Sequence, residues 1–434
     1  MADIKIALVG AGSFVFGPSL LSQIFLEERL DGVELALIDP DGETAQLMAG
    51  VGRRMAREQG LKATITSHAS REGALAGANF VVNSASVQMR RRFAMDRDII
   101  HKNISAHLIT EFGGIAGISY SLRQIAFIEG LAEDMRRECP EAWLLSVSNP
   151  LPRVAQAAHE SGIRTAGFCS VSLSAYGMVS RILTGEPCYY PYEKVRERWK
   201  LNCAGVNHLV WVTELRDRAT EEDLLPQLRK KLRDGATSGN PRSDRMSLDT
   251  GYLLAPADDH TRDFFAPQAG DPRQEGEPWH GGEEERQQRL VALREIGDGN
   301  RAWDELLVHE AWEKPGQFIR AMARGGPSTL HSLNLVNDKG QIPELPANAF
   351  VETPCMVQAN GPAPEKTPLP PSVSPYCALT ALVTDTIVRA ALTHKRSLVH
   401  AAVELDPTVL DKAAGIAAID ACLEAHTDLL PTYS

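Results

Sequence analysis

The 434-residue chain lacks any run of eighteen apolar residues, so no membrane-spanning helix is expected. It opens Met-Ala-Asp-Ile-Lys-Ile, without the basic segment and apolar core of an export signal, so no secretory leader is expected either. Cys-x-x-Cys pairs are absent, which disfavours a zinc ribbon. The seven cysteines follow no repeated spacing, and an odd number fits reduced thiols in the cytoplasm. An excess of basic charge is missing too. With 45 Lys and Arg against 56 Asp and Glu the net charge is -11, which disfavours a nucleic-acid partner that would be held through phosphates. There is no internal repeat. What remains is a composition of 43% apolar and 23% charged residues, that of a soluble globular protein long enough for two or three structural units.

The N-terminal pattern is the most informative. Ile4 to Val9 reads as a strand, Gly10-Ala11-Gly12-Ser13-Phe14 as a glycine turn, and Ser19 to Leu30 as a helix. This is the first half of a βαβ unit, in which glycines admit a pyrophosphate and the helix N-terminus supplies N–H groups. Val15 occupies the third glycine position of the common fingerprint, so the turn alone is a weak signal. A second strand, Val33 to Ile38, ends in Asp39, placed to hold ribose hydroxyls and to favour NAD over NADP. A tight turn with a helix cap is the competing reading. Helices at Glu43 to Gln59 and Arg71 to Leu75 alternate with strands at Ala63 to Thr66 and Asn79 to Ala85. The expected fold is therefore α/β, a Rossmann-type parallel sheet over residues 1–170 followed by an α+β unit over 171–434. Asn83 and Ser86 fall at a strand end facing the nucleotide, and Arg90 to Arg92 form a basic turn beyond it.

Further along, Glu111 precedes a second glycine-rich stretch that leads into a helix through Tyr120 and Arg123, and Asn149 ends the Trp143 strand where a ribose or substrate hydroxyl could sit. Cys169 follows an apolar run from Thr165 to Phe168, and His208 follows Asn207 inside a second apolar stretch. A thiolate and an imidazole at two strand ends could hold one divalent metal. A buried apolar cysteine and a core histidine are the bland alternatives. Glu214 to Arg245 reads as a solvated excursion with helical spacing from Leu224 to Leu232, and Gln268 to Arg286 as a loop. Between them Asp258, Asp259, His260, Arg262 and Asp263 lie within six positions, beside Phe264 and Phe265, which suggests a partly buried polar site. Ala302 to Glu313 reads as helix, Ile342 to Pro375 as a long irregular segment, and Ala378 to Leu405 and Leu410 to His426 as closing helices.

Together these residues resemble the NAD-dependent glycoside hydrolases of family 4, which have a lactate/malate dehydrogenase-like fold. Six motifs in order carry the resemblance: the glycine turn; Glu111 with Gly114, Gly117, Tyr120 and Arg123; Asn149-Pro150; Cys169 with Asn207-His208; Asp258-Asp259-His260 with Asp263-Phe264; and Asn337 to Pro346 with Val351-Glu352-Thr353-Pro354. Three positions depart from the family pattern: Ser170 after the cysteine, Asp259 where an arginine is usual, and Phe112 where a small residue or threonine is common.

The resemblance implies NAD-mediated oxidation at C3 of a small α-glycoside, deprotonation at C2, elimination of the aglycone, addition of water and re-reduction. It implies Cys169 and His208 as ligands of manganese, although the residues alone would also permit zinc, iron or cobalt. It further implies Asp258 as the C2 base with Tyr252 as a rival, and Glu111 as the acid for the leaving group. Asn149, Asn207, Arg90 and His260 would face the sugar, in a cytoplasmic homodimer or homotetramer. The rival expectations are a plain dehydrogenase of the lactate/malate type and a non-catalytic NAD-binding protein.

Overall fold

A computed structural model describes residues 4–104, 109–169, 171–267, 283–306 and 312–434. Eleven strands form one sheet: β1 Ile4–Val9, β2 Val33–Ile38, β3 Ala63–His68, β4 Phe80–Asn83, β5 Trp143–Ser146, β6 Arg164–Gly167, β7 Trp199–Val206, β8 Leu209–Asp217, β9 Ser328–Val336, β10 Phe350–Gln358 and β11 Gly361–Pro364. The order is β3-β2-β1-β4-β5-β6-β9-β10-β7-β8, with β11 paired to β10. The first six strands are parallel and follow the Rossmann order, with the strand order reversing between β1 and β4. The remaining pairings are antiparallel. The sheet therefore runs unbroken past residue 170, through the pairing of Gly167 with Asn334.

Strand β1 shows why the parallel half reads as an uninterrupted apolar run. Ile4, Ile6 and Leu8 enter one core, and Ala7 and Val9 enter the core on the opposite face. Helices Gly42–Glu58 and Pro315–Arg324 cover the first face. The second is covered by Gly114–Glu138, Ser374–Thr393, Arg396–Leu405 and Lys412–Ala425. Of the described helices, Ser374–Thr393 alone is long and apolar enough to cross a membrane, and half of its apolar window is buried within the fold.

Several local readings of the sequence are corrected. The first helix begins at Phe16 and runs to Ser22, continuing as a π turn over Gln23–Glu27. Pro18 does not delay it, because a first-turn N–H has no intrahelical partner to lose. The segment from Arg71 to Leu75 forms turns rather than a helix. The basic turn after β4 is the start of a helix, Met89–Asn103, whose Arg92, Asp96 and Ile100 are buried at a spacing of four residues. The helical spacing from Leu224 to Leu232 does form a helix, Leu225–Arg233, but it buries Leu225, Leu228 and Leu232, so that part of the excursion is not solvated. The helix Glu283–Gly297 begins inside the expected loop, of which residues 268–282 lie outside the described residues. Only a 3-10 turn, Trp303–Leu306, represents the helix expected from Ala302 to Glu313, and 307–311 lie outside the description. The supposedly irregular segment from Ile342 holds β10 and β11. Pro354 is accommodated there because the β9–β10 register shifts between Thr353 and Cys355, a bulge that needs no N–H.

Arg92, one of the three basic residues placed near the nucleotide, is withdrawn into the core. It donates to Asp428 at 2.8 Å and lies 3.3 Å from His426 Nδ1. His426 Nε2 meets Asp96 Oδ1 at 2.7 Å, while Arg123 donates to Asp96 Oδ2 at 2.8 Å and Ser119 to Oδ1 at 2.9 Å. Burial pushes the Asp96 carboxyl up, but the His426 hydrogen bond and the Arg123 charge outweigh it and hold the group below its usual range. Breaking such a buried pair leaves an uncompensated charge. Asp96→Ala is expected to cost about 3–5 kcal/mol, checked by denaturant unfolding. A loss no larger than that of an exposed substitution would show that the network is not holding these helices together.

Candidate active site

The cleft at the β1/β4 reversal is a cavity of about 870 Å³ whose walls include Gly10, Gly12, Ser13, Asp39 and Ser86. Gly10 has φ +88°, and a Cβ there would sit 2.7 Å from the Ala85 amide nitrogen, so the turn needs glycine both for its backbone angle and for space. Asp39 Oδ2 accepts from the Gly12 amide at 2.8 Å and Oδ1 from the Asp41 amide at 2.9 Å, which fixes the carboxylate at the end of β2. Ser13 Oγ accepts from the Phe16 amide at 3.1 Å. Ser86 Oγ lies 2.7 Å from the Tyr120 hydroxyl.

Two residues expected at the nucleotide lie elsewhere. Asn83 is fully buried and spends its side chain on Ser146 Oγ, at 3.3 Å, and on the Ala85 amide, at 3.2 Å. Phe14 lines a separate cavity against the Glu283–Gly297 helix, with the Arg289 guanidinium 5.8 Å from its ring.

The second group of residues sits beyond the ends of β4, β5 and β6. Asn149 Nδ2 donates to Glu111 Oε2 at 2.6 Å. Burial pushes the Glu111 carboxyl up to about 7, against the opposing effect of the Asn149 hydrogen bond. The ring of Phe112, the next residue, has its centroid 4.5 Å from that of His208, and the His260 ring lies 4.4 Å from His208. Asn207 and His208 form the two-residue loop between β7 and β8, where His208 adopts a left-handed φ of +64°. That conformation is costly for a side chain other than glycine and is kept where the surroundings enforce it.

Asn207 Nδ2 donates to Glu352 Oε2 at 3.0 Å, and Asn334 Nδ2 donates to the same oxygen at 3.3 Å. The Cys169 thiol interacts with the Asn207 side chain, and burial followed by the charges of Glu352 and Glu313 pushes it well above its ordinary range. Burial and then His260 push His208 well below its ordinary range, so its imidazole is neutral. Its Nδ1 is buried without a hydrogen-bond partner. A neutral imidazole with a spare nitrogen and a nearby thiol fit a divalent cation, which would draw the thiol into its ionised form. Among the described residues no three His, Cys, Asp or Glu side chains converge as a ready-made metal cage. Protein ligation from this set would therefore rest on the Cys169–His208 pair, leaving positions for other ligands.

Other site residues are placed less simply. Asp258 caps the Pro241–Thr250 helix: its carboxylate accepts from the Arg242 amide at 3.1 Å, the Ser243 amide at 2.9 Å and Ser243 Oγ at 3.2 Å. The segment reaches His208 through His260. Tyr252 is half-buried beneath Arg229, whose guanidinium is 4.3 Å from the ring. Arg90 is exposed at the start of its helix. Ser170 lies outside the described residues. The sequence offered no role for Asn334, and it put Asp263 in the charge cluster and Glu352 in the Val351 to Pro354 motif without assigning either a part in the site. For Asn334 the signal was a polar residue between Leu333 and Leu335 on an apolar strand.

A Rossmann cleft together with a half-buried cysteine, a buried histidine and a buried carboxylate defines a nucleotide-dependent enzyme with a composite active site. Family models give the narrower class: Family 4 glycosyl hydrolase matches residues 5–184, and Family 4 glycosyl hydrolase C-terminal domain matches residues 203–409. The chain belongs to the family 4 glycosyl hydrolases and is an enzyme of the glycosidase class. The C-terminal match sets aside the plain dehydrogenase.

An alpha-galactosidase of Bacillus subtilis is 27% identical over 455 residues, covering 99% of both chains. An alpha-galacturonidase of Lachnoclostridium phytofermentans is 23% identical, covering 95% of this chain and 93% of its own. Among solved structures, a putative glucosidase from Bacillus subtilis superposes with a TM-score of 0.80 at 22% identity, over 97% of this chain and all (100%) of its own. A 6-phospho-alpha-glucosidase from gut microorganisms, solved in complex with NAD and Mn2+, gives 0.72 at 20% identity over 100% of both chains.

The raised carboxyls make the fold pH-sensitive. Glu111, at about 7, and Asp263, at about 8, keep protons in the folded state that the unfolded chain releases at lower pH. Their contribution to stability is full below the unfolded carboxyl range and is lost as pH rises toward 7–8. The melting temperature is expected to fall between pH 5 and pH 8, and Glu111→Gln and Asp263→Asn are each expected to flatten that fall. A fall of unchanged steepness in both variants would contradict this origin.

Proposed function

We propose that the enzyme cleaves a small α-glycoside of the galactoside, galacturonide or glucoside type, using NAD and a divalent metal. The observation that supports this most directly is the clustering of Glu111, Asn149, Cys169, Asn207 and His208 beyond the strand ends of a Rossmann sheet. Relatives with the names alpha-galactosidase, alpha-galacturonidase and alpha-glucosidase support the substrate class.

Bound there, NAD would supply oxidation and re-reduction at C3 of the sugar, and the metal, manganese by resemblance, would supply Lewis acidity at the C2 and C3 oxygens. Gly10, Gly12, Ser13, Asp39 and Ser86 line the cleft for the nucleotide, and Cys169 and His208 hold the metal. Asn149 and Asn207 orient sugar hydroxyls, with Arg90 and His260 as further sugar-facing residues. Glu111 holds the proton for the leaving oxygen. Because Asn149 donates to Oε2, that proton belongs on Oε1.

Asp258 is the candidate base at C2. Tyr252 is the second reading, and it is favoured by the three donors that already occupy the Asp258 carboxylate. The reading also carries a cytoplasmic homodimer or homotetramer, of which the assembly is checked by light scattering.

The test is aglycone release from aryl α- and β-glycosides, including uronides and 6-phosphates, with NAD and Mn2+ each supplied or withheld. Release should require both and favour the α-anomers; release indifferent to NAD would overturn the mechanism. Cys169→Ser should lose metal-dependent turnover. In D2O, an Asp258→Asn enzyme that no longer exchanges the C2 proton, with Tyr252→Phe still exchanging it, assigns the base to Asp258, and the opposite pattern assigns it to Tyr252. Gly12→Ala would place a Cβ 2.8 Å from Asp39 Oδ2. It should weaken NAD binding by roughly tenfold or more, about 1.4 kcal/mol, in a calorimetric titration.

A further inference from the structure

We propose that Glu352 is a positioning residue for the metal pair: its carboxyl sets which way the Asn207 amide faces and, through that amide, places the Cys169 thiol and the loop that carries His208. The inference rests on the metal reading given above and extends it to a residue the reaction scheme does not otherwise use.

Glu352, Asn334 and Asn207 are all fully buried. Glu352 pairs with Gly205 on β7 and with Asn334 on β9, and Asn334 pairs in turn with Gly167 on β6. Residues paired in this way send their side chains to one face of the sheet. Asn334 and Glu352 therefore share a face, and a glycine stands at each end of the row. At one end there is no room for anything else, since a Cβ on Gly167 would sit 3.1 Å from the Asn334 Cβ.

Two amides converge on Glu352 Oε2, Asn207 Nδ2 donating at 3.0 Å and Asn334 Nδ2 at 3.3 Å. A carboxyl oxygen met by two N–H groups can only accept from them. An amide turned the other way would bring its own oxygen against Oε2, acceptor on acceptor. Oε2 thus decides the orientation of both amides. Burial pushes the carboxyl up, and the side chains of Asn207, Ser172, Asn334 and Ser332 oppose that. The two contacts at Oε2 do not depend on which side wins, because an acid and a carboxylate both accept there.

The consequence reaches both prospective ligands. The Asn207 side chain that is held by Glu352 also hydrogen-bonds the Cys169 thiol. Asn207 directly precedes His208 in the β7–β8 loop, so the same contact ties that loop to β10. Asn207 Oδ1 is left buried without a partner, available to a sugar hydroxyl. A second path runs alongside: Ser172 Oγ donates to Ser332 Oγ at 3.1 Å, and Ser332 Oγ donates to the Cys169 carbonyl at 3.1 Å. A carboxyl buried only to satisfy the sheet would need Asn334 alone. The contact with Asn207 is the one that carries it to the thiol and the imidazole.

The experiment titrates Co2+ into wild type and Glu352→Gln, each with NAD present, and follows the thiolate-to-cobalt charge-transfer absorption. That signature needs a cysteine ligand and no turnover, and Cys169→Ser should abolish it. Glu352→Gln keeps the size of the side chain but brings an N–H2 group, which lets the facing amides turn over. Its dissociation constant for Co2+ should rise about 10–100-fold, as for other losses of an outer partner to a metal ligand. Asn334→Ala removes the other donor and leaves the Asn207 contact, so it should move that constant less than Glu352→Gln does, whatever it costs in melting temperature. Unchanged affinity in Glu352→Gln, or an equal loss in Asn334→Ala, overturns the proposal and makes Glu352 a packing residue of the seam. A wild-type protein without the absorption, or one that keeps it in Cys169→Ser, overturns the metal reading and the proposal with it. Should Glu352→Gln not fold, Glu352→Asp takes its place. Its shorter carboxyl draws back from Asn207, so a raised dissociation constant supports the proposal and a wild-type constant overturns it.

Discussion

A single strand pairing, Gly167 of β6 against Asn334 of β9, joins a parallel half-sheet to an antiparallel one. Much of the second half of the site depends on that seam. Cys169 lies two residues past it on one side, and on the other β9 carries Asn334 to Glu352 on β10, which reaches Asn207 on the β7–β8 loop. A hydrogen-bonded ladder fixes spacing along the sheet to within the few ångströms that strand separation allows. The thiol and the imidazole come from distant stretches of chain, yet their separation is set by strand geometry rather than by mobile loops. The same rigidity explains how a fully buried Glu352 is tolerated, since two amide donors were already in register to receive it.

The nucleotide half was legible because its signals are local. A strand, a glycine turn and a distal acid are one continuous message, and β1, β2 and Asp39 lie where that message puts them. Asn83 and Phe14 were misplaced because proximity in sequence to a strand end does not tell which way a side chain turns. Asn83 points into the core to satisfy Ser146 and a backbone amide, and Phe14 turns outward to the Glu283–Gly297 helix. The second half was harder. Its strands pair across long sequence separations, and Pro354 disguised β10 as a loop because a bulge is invisible without its partner strand. The clustering of charge around Asp258 was rightly singled out, but which carboxylate of the cluster is buried and which caps a helix depended on the Pro241–Thr250 helix folding back onto it.

Two carboxyls illustrate how environment and not residue type decides chemistry. Asp258 meets three donors, while Asp263, five positions on, meets a hydroxyl, a distant guanidinium and another acid. The first is held as a helix cap, and the second has the surroundings of a group that prefers to stay neutral. Sequence places the two on equal footing, and the fold separates them.

The buried network around Asp96 also governs how the polypeptide can be handled. His426 and Asp428 are the partners through which Arg92 and Asp96 reach the last turn of chain, and the Ser434 backbone bonds to His394 and to Arg396. Residues 426–434 are thus stitched into the helical layer behind the nucleotide cleft. Proteolytic clipping of only the last nine residues, 426–434, would strip Arg92 of its carboxylate and Asp96 of its imidazole at a stroke.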